Sequence, residues 1–357
     1  KKKLYWQTTY GKIEVLERIF RVSGIKLRPF ANSAKVKCRE YSLALQRVIV
    51  DFGADTSFKE AKKKIYEHYA VDVPETAVQQ ITERHAKNML EMDENEIKVY
   101  KKSVDCLITE TDGTMIPIVE INVVKKSSKK IDRRKHRKVC WKEARLCFSR
   151  EKNTVTKVFA AVFGSVNATG DALYRTACRA GLGKNTHIHG VGDGASWIAE
   201  QFDRVFAKQS TYLIDFYHLS EYLTEASQII SPDDPKIWRK KQERRMKKNQ
   251  YTLVLKDLNK KIKMDKLEKK ADNPIVACHR YIKNRQTQID YKGAIEKDLP
   301  IGSGEIESSH RYVIQKRLKI SGAWWEEGNA RSMLALRILR ANEDWEQYWE
   351  SLEANAA

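Results

Sequence analysis

The sequence predicts an α/β protein: a mixed sheet flanked by helices, with an all-helical insertion and an N-terminal helix-turn-helix region. Three observations carry that expectation. From Val104 onward the apolar residues fall into strand-type runs (VDCLITETDGTMIPIVEI, then WKEARLCFSREKNTVTKVFAAVFGS). Helix-type and strand-type segments then alternate as far as Ile230. Between residues 233 and 297 the strand-type pattern stops and only helical periodicity remains.

Size and charge narrow the function classes. At 357 residues the chain can bury a real core and divide into two or three domains. No run approaches the ~18 apolar residues a membrane span needs. KKKLYWQTTY shows no signal peptide, and the missing Met predicts residues upstream of Lys1. The six cysteines (38, 106, 140, 147, 178 and 278) form no CxxC pair, which predicts reduced thiols in a cytoplasmic protein. Lys and Arg number 67 against 47 Asp and Glu, a net charge of +20. Such a surface favours a polyanion, nucleic acid first, because bound phosphates release counterions.

Taken in order, GKIEVLERIF and GIKLRPF within residues 5–30 predict a small hairpin. Ala61, Ile65 and Tyr66 then mark one helix and Ala77, Val78 and Ile81 a second, across the break Val71–Pro74. That is a helix-turn-helix pattern whose second helix would present Thr76, Gln79, Gln80, Thr82 and Arg84 to DNA. KKSSKKIDRRKHRK (125–138) is a basic loop, solvated by default and phosphate-contacting if DNA passes nearby. Between Lys236 and Lys270 fifteen Lys and Arg stand against four Asp and Glu. Lys240, Lys241, Arg244 and Arg245 are therefore candidate phosphate contacts. The last segment, Gly328–Trp349, reads as a closing amphipathic helix.

Acids at the ends of elements are the candidate chemistry. Asp112 and Asp193 each precede a glycine and read as strand ends, where α/β proteins collect their sites. Pro300–Trp325 (PIGSGEIESSHRYVIQKRLKISGAWW) predicts a helix capped by Ser303, with Glu305 and Glu307 in its first turn. Three carboxylates on separate elements suit a hard cation such as Mg²⁺. The bland reading is two Asp-Gly turns and an ordinary capped helix; jointly, in so basic a chain, the metal reading is preferred. Asp215 competes with Asp193, and Glu305 with Glu307. His187 and His189 share one strand face without a third ligand nearby, which predicts a structural role.

TDGT, VGDGASWI, IDFYHLSEYL and IGSGEIESSHRYVIQKRLKISGAWW together resemble the Kra-type bacterial insertion-sequence transposases, members of the DDE superfamily distantly similar to Mutator-like elements. The resemblance spans Asp112 to Trp349, and DFGADTSF (51–58) resembles the family's N-terminal region. It implies an RNase H-like fold, a DDE triad and two Mg²⁺ or Mn²⁺ ions per site. By motif the triad is Asp112, Asp193 and Glu307, the last in an Ile-Glu-Ser context. His218, of the Asp-aromatic-aromatic-His segment, would support the site, with Asp215, His310 and Arg311 nearby in the motifs.

The expected organisation is an N-terminal DNA-binding region (1–95), a catalytic core (96–232 and 298–357) and the basic insertion (233–297). The expected function is metal-dependent cleavage and strand transfer of transposon ends. Partners would be double-stranded DNA (terminal inverted repeats and target) and further copies of the chain, in the bacterial cytoplasm at the nucleoid. Two alternatives stand beside it: an RNase H-like nuclease that never joins strands, and a non-catalytic helix-turn-helix DNA-binding protein. Glycoside hydrolysis also uses paired carboxylates, but the basic composition disfavours it.

Overall fold

The alternating residues at the start of the chain pair as two hairpins, β1 (Lys2–Thr8) with β2 (Gly11–Glu17) and β3 (Phe20–Val22) with β4 (Ile25–Leu27). The structure, a computed structural model, describes residues 2–33, 40–93, 102–121, 137–267 and 271–356. Two compact units divide the chain: Lys1–Glu96, Met115–Glu143 and His310–Ala357 form the first, Ile97–Thr114 and Ala144–Ser309 the second.

In the first unit a short α1 (Pro29–Ser33) precedes α2 (Leu43–Asp55), α3 (Phe58–Tyr69) and α4 (Glu75–Asp93). Ser42 and Ser57 cap α2 and α3 by accepting the N–H of Leu45 and Glu60. Ala70, in the left-handed region, ends α3, and the expected break before α4 follows. Thr82 departs from expectation. It is fully buried, bonded to the Val78 carbonyl and lodged against Gly53, where any Cβ would meet its hydroxyl. A small hydroxyl is what fits where α4 crosses α2 so closely. Thr76, Gln79, Gln80 and Arg84 are exposed.

A five-stranded mixed sheet in the order β7-β6-β5-β8-β9 is built from β5 (Cys106–Ile121), β6 (Arg137–Glu151), β7 (Val158–Val162), β8 (His187–Gly192) and β9 (Ser210–Ile214), and belongs to the second unit except for residues 115–121 of β5 and 137–143 of β6. β6 and β7 pair antiparallel, while β5, β8 and β9 run parallel. Helices α5 (Val166–Ala180) and α6 (Ser196–Phe206) make the crossovers. Their apolar stripes meet Leu107, Cys147, Ala160 and Ile188 on one sheet face. β8 is buried along nearly its whole length, as a central parallel strand should be. The strand end expected at Asp112 is absent: Asp112 and Gly113 both lie inside the continuous strand β5.

α7 (Phe216–Ile230) follows β9, and α8 (Pro235–Met246), α9 (Tyr251–Met264), α10 (Pro274–Lys283) and α11 (Tyr291–Glu296) make the basic block helical, as expected. The block shares one core with α7 and the end of β9, through Leu219, Leu223, Val254, Leu258, Cys278 and Tyr291. α12 (Gly304–His310) is the predicted glutamate helix, continued by a π-helical turn at Arg311–Gln315 and by α13 (Lys316–Leu318).

The first unit closes with α14 (Glu327–Ala341), packed along α4 and α2, and with α15 (Trp345–Ala356). Tyr348 and Trp349 of α15 are buried and the rings of both meet His85. Of the basic loop 125–138, only Arg137 and Lys138 lie within the described residues. No helix among the described residues is long and apolar enough to cross a membrane.

Candidate active site

Strand parity decides which acids share a face. Leu107 and Ile188 point toward α5 and α6, so Ile108, Glu110 and Asp112 of β5 and His187, His189 and Val191 of β8 take the other face. The β5–β8 ladder runs from Cys106 opposite His187 to Glu110 opposite Val191. The ladder stops there: Asp112 lies two residues further along β5, and Asp193 follows Gly192, the last residue of β8. The β8–β9 ladder ends with Gly192 opposite Ile214, and Asp193 and Asp215 are the residues that follow. Asp112, Asp193 and Asp215 thus all lie just beyond the paired residues of the parallel ladders.

Their surroundings separate them. Asp112 is half-buried, and its Oδ1 accepts the Gly113 N–H at 2.7 Å. Asp193 is exposed, and its Oδ1 accepts the Ala195 N–H at 2.8 Å. Asp215 is buried and satisfied on both oxygens. Its Oδ1 takes the N–H groups of Tyr217 and His218, and its Oδ2 takes the N–H and hydroxyl of Ser303, at 2.7 and 2.6 Å. It caps α7 and fixes the chain before α12, which is a structural assignment.

That chain is tied to each parallel strand in turn. His189 Nε2 donates to the Pro300 carbonyl at 2.8 Å, and burial pushes this imidazole down to about 4. The Phe216 N–H donates to the Ile301 carbonyl. Glu110, from β5, accepts the Ile306 N–H on Oε2 at 3.0 Å. Ser303 precedes α12 as expected, but its hydroxyl is spent on Asp215. Glu110 takes over the capping of the N3 amide. It is fully buried, and burial holds its carboxyl well above the usual range.

The two glutamates of α12 also differ. Glu305 meets Arg150 through both carboxylate oxygens, and Lys157 at 3.0 Å. Burial alone would raise its carboxyl, but the two cations outweigh that and lower it. Arg150 in turn holds the β6–β7 turn through the carbonyls of Lys152 and Thr154. Glu307 is exposed, one turn face away. Among the described residues no group of three or more His, Cys, Asp or Glu side chains is gathered closely enough to hold a metal ion.

The loop carrying Asp193 is clamped by the helical block. Tyr281 of α10 donates to the Asp193 carbonyl at 2.9 Å, and Arg285 Nε to the Gly194 carbonyl at 2.8 Å. Gly194 has φ +86°, and a Cβ there would lie 2.5 Å from the Tyr281 oxygen. His218 stacks edge-on against Tyr222 and Tyr281, with Glu221 3.4 Å from its Nδ1. His310 is buried and Arg311 exposed, and both belong to the first unit. In the helical block Lys240, Lys241 and Arg244 are exposed, whereas Arg245 is half-buried against Asp257 at 2.6 Å.

Residues 182–350 match the sequence profile of UPF0236, an uncharacterised protein family. A UPF0236 protein of Caldanaerobacter subterraneus subsp. tengcongensis is 30% identical over 155 residues, covering 43% of this chain and 31% of that protein. The chain therefore spans under a third of the relative it matches. The profile match takes in Asp193, Asp215 and both α12 glutamates but not Asp112.

Sequence reasoning missed Glu110, Arg150, Lys157, Tyr281 and Arg285. For Glu110 a signal existed: it is two residues from Asp112, hence on the same strand face. The others act across long sequence separations and leave no local trace.

Proposed function

We propose that this protein is a DDE-type DNA transposase of the Kra group, with an RNase H-like core, acting on DNA in the bacterial cytoplasm. The observation that supports the reading is that Asp112 and Asp193 each lie two residues past the last pair of the β5–β8 ladder, Glu110 with Val191, where Glu110 also caps α12. Three consecutive strands followed by two parallel strands added beside the first, and then a carboxylate helix, match the order this core implies. Asp112, Asp193 and Glu307 are the proposed triad. Asp215 and Glu305 are set aside because their carboxylates are already committed within the fold.

All three donors are carboxylates, the type Mg²⁺ or Mn²⁺ takes, although in this structure they are not gathered closely enough to hold an ion. A pair of ions held by Asp112, Asp193 and Glu307 would activate the attacking oxygen and stabilise the leaving one. The protein's own part is positional. Glu110, His189 and Asp215 set the start of α12; Tyr281 and Arg285 set the Asp193 loop. Exposed Gln79, Gln80, Thr76 and Arg84 on α4 would read transposon-end DNA, and the exposed cations of α8 would meet phosphates. Handling two ends together calls for a dimer or larger assembly.

The test incubates the full chain with labelled transposon-end duplex and Mg²⁺, then Mn²⁺, scoring nicks and joined products separately. Joined products support the proposal. Nicks alone would favour a nuclease, and binding without either a DNA-binding protein.

A further inference from the structure

The first unit contains a cavity of about 510 Å³ that the proposed catalytic role leaves unused. Its walls come from α3, α4 and the Gly322–Asn329 stretch, all within that unit. Trp324, 43% exposed, forms one side, with the Arg137 guanidinium stacked 3.7 Å from its ring centroid. Arg317 forms the floor, between the rings of Phe58 and Trp325. It is 2% exposed; its Nε donates to the Gly53 carbonyl, but its Nη2 is buried with no hydrogen-bond partner among the described residues. A guanidinium N–H left so is costly unless something brings an acceptor to it. Glu83 stands across the cavity, its Oε1 accepting from Gln79 and Asn329.

We propose that this cavity takes a single unpaired nucleobase. The chemistry is that of a flat ring with polar edges. An indole already backed by a guanidinium is a stacking platform, and stacking on aromatic side chains serves any base. The Arg317 guanidinium in the floor favours the electron-rich acceptor edges that every base carries. The amides of Gln79 and Asn329 supply further edge contacts. Gln79 also lies on the exposed face of α4, so a base displaced from a duplex on that helix has the cavity at hand. The inference rests on reading the protein as one that handles DNA, and adds to it a site for an extruded base.

The experiment measures binding of the full chain to three labelled duplexes: fully paired, carrying one bulged nucleotide, and carrying an abasic bulge at the same place. The nucleotide bulge should bind about tenfold tighter than the paired duplex, the range expected for one stacked base. The abasic bulge should lose that gain. Trp324→Ala should abolish it and Trp324→Phe keep most of it, with paired-duplex affinity unchanged; Trp324 is exposed enough for both variants to fold, which circular dichroism checks. No gain from the bulge, a gain that survives in the abasic duplex, or one that survives Trp324→Ala would each overturn the proposal. Comparing a single-stranded oligonucleotide with its abasic counterpart reads the cavity even if no duplex is bound. A failure of the cavity is thereby distinguished from a failure of the transposase reading.

Discussion

Asp112 and Asp193 each lie two residues beyond the last pair of the β5–β8 ladder, Glu110 with Val191, so 81 residues separate them as they separate that pair. The match is what makes a shared site reachable from positions so distant in the chain. Asp112→Asn, Asp193→Asn and Glu307→Gln should each abolish cleavage while duplex binding persists. A bound metal stabilises the transition state by several kcal/mol, and each ~1.4 kcal/mol is tenfold in rate, so the loss should be on the order of a thousandfold. Single-turnover cleavage and anisotropy read the two properties apart; near-normal cleavage in any of the three would remove that residue from the triad.

Asp215 makes the contrasting prediction. Its carboxylate accepts four hydrogen bonds, two of them from Ser303. Asp215→Ala strands buried donors, each worth about 1–3 kcal/mol, so the melting temperature should fall by several degrees. Asp193→Asn should leave it unchanged, since an amide oxygen still accepts from Ala195. A stable, inactive Asp215 variant beside an active Asp193→Asn would reverse the two roles.

Glu305 offers a pH test. Its folded carboxyl lies below the ordinary value because Arg150 and Lys157 outweigh the opposing effect of burial. A group lowered in the folded state stabilises above its unfolded value, about 4.3, and loses that contribution as pH falls through the folded value. Glu305→Gln should therefore lower the urea midpoint at pH 7, and the gap to the parent protein should shrink as pH drops below 4. A gap constant with pH would mean that the ion pairs with Arg150 and Lys157 contribute nothing.

Much of this was legible in the sequence, and the limits have physical causes. Helical periodicity located α3, α4 and α7 and marked 233–297 as a helical block without resolving its helices, because one-sided burial writes itself into spacing. Asp112 read as a strand end because an Asp-Gly pair usually interrupts a strand; here the pairing of a sixteen-residue strand carries the chain straight through. Thr82 read as exposed because a threonine on a helix is usually polar surface, and only the approach of Gly53 buries it. Glu110 was passed over for a similar reason. Single acids seldom sit in a core, and its use as a remote cap for α12 depends on Asp215 having claimed the hydroxyl of Ser303.

The basic helical block yields the last prediction, and the structure sharpens which charges to test. Lys240, Lys241 and Arg244 are exposed on α8, while Arg245 is committed to Asp257 and Gln242. Each phosphate neutralised contributes about −0.9 to the slope of log affinity against log salt. Replacing the three exposed cations with Gln should flatten that slope by up to ~2.7 if all three meet phosphates, weakening all duplex sequences alike. Saturating DNA should restore most of the cleavage, because the triad lies outside the block. Arg245→Gln should behave differently, leaving the slope almost unchanged and lowering stability, because its partner Asp257 loses the cation that holds its carboxyl down against the opposing effect of burial. An unchanged slope in the triple variant would mean that these charges face water and that the block serves through Tyr281 and Arg285, as the clamp on the Asp193 loop.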